Sequence, residues 1–215
     1  MTTLGAIRMT ATAFFVLGLA GCSGGGGGAD LPDAALTGKI DMAKRDSLND
    51  RYEALDFGYH TTKRIEGHAV RTSGVYTFNG VAALRPSGGF TGDGRSPVTS
   101  NPDLIADMAL NVDFGNDSVS GAMWNFHNAE GARAGGSVQL VGVQDGGGIT
   151  ANGNGTLDWG DRHQVLDVDF GGAVLADEIG ARGDMNVTST IGTEITTMDG
   201  HATLESDRAD HPIGW

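Results

Sequence analysis

The chain has 215 residues, a formal net charge of −13 and one cysteine. Recognition of a nucleic-acid backbone needs a basic face, so the charge excludes that class of partner. A single cysteine excludes an intramolecular disulfide framework. The acidity serves solubility in the first instance, or else attraction of a basic ligand or of cations.

The first 21 residues, "MTTLGAIRMTATAFFVLGLAG", carry one charged side chain, Arg8, ahead of a nearly continuous apolar stretch at 11–20. A short positive region followed by roughly 7–15 apolar residues is the pattern of a secretory signal peptide. It falls short of the ~20 apolar residues that a spanning helix needs. "LAGC" at 19–22 resembles the bacterial lipoprotein lipobox. That resemblance implies cleavage before Cys22, acylation of its sulfur and acylation of the new amino terminus. Several acyl chains give a stable anchor where one gives marginal binding. Ser23 rather than Asp follows the cysteine, which in lipoproteins points to outer-membrane sorting. Cleavage there removes 21 residues and leaves 194 of the 215. Cys22 is then a lipid attachment point, and the rest of the chain has no thiol chemistry.

"SGGGGG" at 23–28 reads as a tether, because a glycine run cannot bury enough apolar surface to order itself. Six residues of such sequence have an r.m.s. reach of about 13 Å. Residues 30–56 hold the only helix candidate. Within them "DMAKRDSLNDRYEAL" offers Met42, Leu48, Tyr52 and Leu55 as sparse apolar anchors among charges. A short helix and an ordered linker fit this weak periodicity equally well.

From about residue 67 the pattern changes to period two. "ADMALNVDF" puts Met108, Leu110, Val112 and Phe114 on one face and Asp107, Asn111 and Asp113 on the other. "GND" supplies turn chemistry, and "SVSGAMWNF" returns as the second arm of a β-hairpin. "SVQLVGV", "QDGGG" and "ITANGNGTLDW" form a second hairpin. "QVLDVDF" alternates Leu166, Val168 and Phe170 with Asp167 and Asp169. "GARGDMNVTST" and "HATLES" complete the series, and "HAVRTSGVYTFNGVAAL" upstream supplies one long glycine-bent strand or two short ones. Seven or eight strands with short connections and one-sided alternation predict an all-β fold. The expected architecture is a single eight-stranded antiparallel up-and-down β-barrel. Glycine, at 36 of 215 residues, is more than twice its usual share of about 7%. Within strands it would relieve crowding where a small barrel curves. A membrane-spanning barrel would instead turn apolar side chains outward and carry aromatic girdles. The low aromatic content of 7% and a separate lipid anchor argue against it. The expected organisation is a signal peptide at 1–21, the lipidated cysteine with tether and linker at 22–66, and the barrel at 67–215.

No nucleophile elbow, HExxH, Walker loop or dinucleotide fingerprint is present, so no cofactor is expected and the chain reads as non-enzymatic. "GNGTLDWGD" at 153–161 has the wrong spacing for a calcium nonapeptide and does not recur. The Asp167-x-Asp169 pair offers oxygen ligands to Ca²⁺, or is simply a solvated strand face. "RGD" at 182–184 lies where a strand is expected. His127 follows the second strand of the first hairpin and His163 sits beside the turn after Trp159. A loop histidine could ligate a haem iron axially, or be a solvated turn residue. Trp124, Trp159 and Tyr76 could form a binding face, or pack the core. Trp124, Trp159, His127 and His163 are therefore the candidate binding surface.

Three stretches resemble one family. "NVDFGNDSVSGAMWNF" at 111–126 resembles the "DF-x-N-x-T-V-S-G" hairpin of transferrin-binding-protein-B-like lipoproteins. "VDFGGAVLADEIGARGDM" at 168–185 resembles that family's "F-x-G-x-x-A-x-E-x-G-G" strand–turn–strand, and "GVYTFNGVAAL" its opening strand. The match runs from about 74 to 207, in order, behind a lipobox. It implies an eight-stranded barrel on an outer-membrane lipoprotein, often surface-exposed. It also implies capture of host iron or haem proteins, or of other host factors. This chain departs from the pattern in having one barrel, short loops, Gly180-Ala181 in place of two glycines, and "GHATLES" in place of the closing "G-x-F-G". The resulting expectation is a binding lipoprotein that captures a small ligand or a partner protein. The alternative is a structural or assembly accessory of the envelope or of a membrane transporter.

Overall fold

A computed structural model describes residues 37–61, 73–87, 102–175 and 180–207, all of them within the unit Leu31–Trp215. The expected signal peptide, Cys22 and the glycine tether lie outside the described residues, as do His68 and His211. Eight antiparallel strands follow one helix, α1 (Met42–Thr61). The strands are β1 (Val75–Pro86), β2 (Leu104–Asp113), β3 (Ser118–Asn128), β4 (Gly135–Asp145), β5 (Gly148–Asp158), β6 (His163–Val174), β7 (Gly180–Ile191) and β8 (Glu194–Ser206). Each pairs with its sequence neighbour and β1 pairs with β8, so the barrel closes with no free edge.

Strict alternation explains which face each strand buries. Met108, Leu110 and Val112 of β2 point inward, as do Leu166, Val168 and Phe170 of β6. Phe78, Met123, Phe126, Leu140, Leu157, Met185 and Leu204 complete an apolar interior. An eight-stranded barrel has a lumen just wide enough for such side chains to fill. The outer wall is the reverse. Thr150, Asn152 and Asn154 of β5, Asp167 and Asp169 of β6, and Asn186 and Thr188 of β7 are exposed. Cross-strand register sets Asn152 beside Asp169 and Asp169 beside Asn186. A lipid-spanning barrel needs an apolar outer band, and this wall presents carboxylates and amides instead.

Two glycines show why so many stand within strands. A Cβ at Gly80 would collide with the carbonyl oxygen of Thr203 on β8, and one at Gly153 with that of Gln139 on β4. Neighbouring strands approach too closely at these inward positions for a side chain.

The linker region differs from the even choice that its sequence offered. It forms a 20-residue helix, and its Leu48, Tyr52 and Leu55 are buried. Leu48 and Tyr52 pack with Val81 and Ala83 of β1 and Ile105 of β2, which point outward from the barrel. Asp41 caps the helix, its Oδ1 accepting from Lys44 N at 3.0 Å. The helix thus covers a part of the wall where outward positions are apolar. β8 also begins earlier than "HATLES" suggests, at Glu194, because register with β7 carries the ladder through the Thr-rich segment to Glu194↔Ile191.

Candidate functional site

The four predicted surface residues do not converge. Trp159 is in the core. Its Nε1–H donates to Gln164 Oε1 at 2.8 Å, and Gln164 Nε2 donates in turn to Ser189 Oγ at 2.8 Å. An indole committed to a buried amide is unavailable to a ligand. Tyr76 is likewise in the core, edge-on to Phe114 with ring centroids 5.5 Å apart. Trp124 is half-buried on the outer wall, opposite Asp107 of β2 and Ser137 of β4. His163 is exposed, with Nδ1 3.7 Å from Asp158 Oδ1.

His127 corrects the expectation of a loop residue. It lies within β3 and is fully buried. The cause is a bulge: β2 and β3 slip register between Ile105 and Asp107, and Asn125 takes a left-handed φ of 56°. The extra residue shifts the parity of β3 and turns His127 onto the side of the outward-facing Ile105, its cross-strand partner. Nδ1–H donates to Asn125 O at 2.9 Å, while Nε2 is buried without a hydrogen bond. Burial is the first cause holding its pKa below the ordinary value, with Arg133 adding to it. A histidine so enclosed cannot reach a haem iron. Of the two proposed axial ligands only His163 is accessible.

The polar constellations that the fold does assemble sit between α1 and the outer wall. Arg182 of β7 reaches Asp56 of α1, Nη2 to Oδ1 at 2.9 Å, with both side chains more than four-fifths buried. Its Nε–H donates to His201 Nε2 on β8. The opposite ring nitrogen, Nδ1, lies 2.8 Å from Asp184 Oδ1. Burial, then the neighbouring Arg182 cation, lowers the His201 pKa, against the opposing pull of Asp184. The ring is therefore neutral at pH 7, donating from Nδ1 and accepting at Nε2. An Asp–His pair can serve as a general base when Nε2 is free. Here Arg182 occupies Nε2, and the group works as a clamp.

A second clamp forms around Arg51 of α1, which pairs with Glu205 of β8 at 3.3 Å and with Asp107 of β2 at 3.8 Å. Asn125 Nδ2 donates to the same Asp107 at 2.8 Å, so the β3 bulge is tied into this group. Buried Arg45 donates to the carbonyl oxygens of Asn128 and Pro102, fixing the two connections beside the helix start. Sequence reading missed all of these because each joins residues far apart in the chain. Only strand parity, which puts Arg182, Asp184 and His201 on one outer face, carried a signal.

The remaining motifs resolve simply. Arg182-Gly183-Asp184 lies in a strand with its Arg engaged by Asp56. Asp167 and Asp169 stand on the exposed wall of β6. Among the described residues no three His, Cys, Asp or Glu side chains come together as a metal site, and no helix is long and apolar enough to cross a membrane. Compared with protein-family models, the chain matches none. Compared with curated proteins, it also matches none.

Proposed function

We propose that this chain is a lipid-anchored, non-enzymatic binding protein of the bacterial outer membrane that captures a small ligand or a partner protein on the outside of its barrel. One structural observation supports this reading most. The barrel's interior is lined by large apolar side chains, while Thr150, Asn152 and Asn154 of β5, Asp167 and Asp169 of β6, and Asn186 and Thr188 of β7 form an exposed polar stretch of its outer wall. A barrel built that way offers its exterior and its connecting loops as the binding surface, and does not use its lumen as a ligand cup. The lipobox at 19–22 and the glycine tether behind it would hold that exterior at a membrane. Resemblance of the 111–126 and 168–185 segments to transferrin-binding-protein-B-like lipoproteins favours the same role.

Proteolysis of intact cells tests it. A surface binder is digested in whole cells. A chain that survives until the outer membrane is permeabilised faces the periplasm, and that result would overturn surface capture.

A further inference from the structure

Two histidines that the fold shields from water, His127 and His201, lie on a single cross-strand rank of the outer wall. Register sets His127 of β3 opposite Ile105 of β2, Ile105 opposite Ala83 of β1, Ala83 opposite His201 of β8, and His201 opposite Asp184 of β7. The two residues between the histidines, Ile105 and Ala83, belong to the apolar patch against which Leu48 and Tyr52 of α1 pack. The helix therefore crosses this rank, with a histidine toward each of its ends. Asp41 and Lys44, at the start of α1, are among the charges that act on His127. Asp56, further along the helix, holds Arg182, whose Nε–H donates to His201.

Neither site accommodates a second ring proton. His127 Nδ1–H already donates to Asn125 O, and Nε2 is buried with no acceptor. Burial, Arg133 and Lys44 oppose a positive ring there, while the Asn125 carbonyl and Asp41 favour one. The Asp41 carboxylate is also engaged as the helix cap. His201 Nε2 accepts from Arg182, so a proton on it would set donor against donor. Around that ring Asp184 of β7 and Asp56 of α1 favour the charge, burial and Arg182 oppose it, and β1 contributes the uncharged Ala83. Burial is the largest influence at both rings, and both pKa values are lowered.

We infer that α1 is a strap that acid lifts from the barrel: one proton taken up by His127 and another by His201 favour a state in which the helix has left the wall and uncovered Val81, Ala83 and Ile105. The driving force is the difference in proton binding between the two states. With α1 away, both rings meet water and titrate near their ordinary value of about 6.5. With α1 seated, the enclosed rings take up protons only at lower pH. Acid below that ordinary value therefore favours the lifted state, and it acts toward both ends of the helix. The barrel has its own means of persisting. Its lumen cluster shares no residue with the cluster under α1, and its eight strands close on one another without the helix. At pH 7 both rings are neutral, and Arg45, Arg51 and Asp56 keep the strap seated.

Hydrogen exchange of the full chain tests this, read as amide protection in α1 against that in β6 and β7 from pH 7 to pH 5 and corrected for the pH dependence of exchange itself. Protection in α1 should fall with pH, by up to about 100-fold per pH unit as the limit for two protons, while β6 and β7 keep theirs. His127→Gln and His201→Gln should each bring that limit down to about tenfold per pH unit, and the double variant should flatten the profile. Circular dichroism at pH 7 would confirm that the variants fold. Loss of protection in α1 and in the strands together would mean that acid unfolds the whole domain, and would overturn the strap. Protection in α1 that does not change with pH would overturn it equally. Both of these outcomes are read on the unsubstituted protein, so they decide the matter even where a variant misfolds. A fall in α1 protection that persists undiminished in the folded double variant would assign the effect to other groups and overturn the part given to the two histidines.

Discussion

Arg182 of β7 holds Asp56 of α1 at 2.9 Å, across the joint between the helix and the barrel wall. The same guanidinium donates to His201, so one side chain ties the helix to two strands. Removing one partner strands the other in a site that is mostly shielded from water. Asp56→Ala and Arg182→Ala should each lower stability by about 1–3 kcal/mol. The double variant should lose less than the sum, because the two act as one unit. Urea midpoints of the four proteins measure this directly.

Histidine titration should give the fold a distinct pH dependence. Burial lowers the pKa values of His127 and His201 from their ordinary 6.5. Between the lowered value and 6.5 the unfolded chain binds protons that the folded chain does not, so stability rises with pH across that window. Their contribution is complete above 6.5 and is lost as pH falls through the lowered values. The urea midpoint should drop between pH 7 and pH 5.5, and the drop should shrink in His201→Gln, which cannot take up the proton.

Parity along β6 predicts sharply different costs at adjacent positions. Phe170 is buried in the lumen and Asp169 stands on the exposed wall. Phe170→Ala should cost about 3–5 kcal/mol, from lost transfer energy and a residual cavity. Asp169→Ala should fall within about 0.5 kcal/mol of zero. Thermal unfolding of the pair checks the assignment, and equal effects would mean that the register is wrong.

The bulge at Asn125 offers a local test. Its φ of 56° disfavours a residue with a Cβ by roughly 1–2 kcal/mol, and its amide satisfies Asp107. Asn125→Ala loses the bond and keeps the strain, whereas Asn125→Gly loses the bond and relieves it. Stability should follow the order Asn, then Gly, then Ala.

Much of this fold was legible because one physical rule governs it. Period-two alternation at 106–114 and 164–170 picked out the inward residues of β2 and β6, and turn residues at 115–117 marked a hairpin. Local pattern could not show what the helix would do. Leu48, Tyr52 and Leu55 make a sparse stripe on a charged segment, and Leu48 and Tyr52 find their partners in Val81, Ala83 and Ile105, which turn outward to meet them. The candidate residues fared worse for a related reason. Trp159 and Tyr76 follow the inward parity of a packed lumen. His127 is buried by a one-residue bulge that no composition signal announces.

Everything proposed here about place and role depends on Cys22. The most direct measurement is mass spectrometry of the amino-terminal peptide of the protein isolated from its own membranes. The expected species is a chain that begins at Cys22, with diacylglyceryl on sulfur and a third acyl chain on the amino nitrogen. A chain that retains residues 1–21, or one that carries an unmodified Cys22, would contradict it.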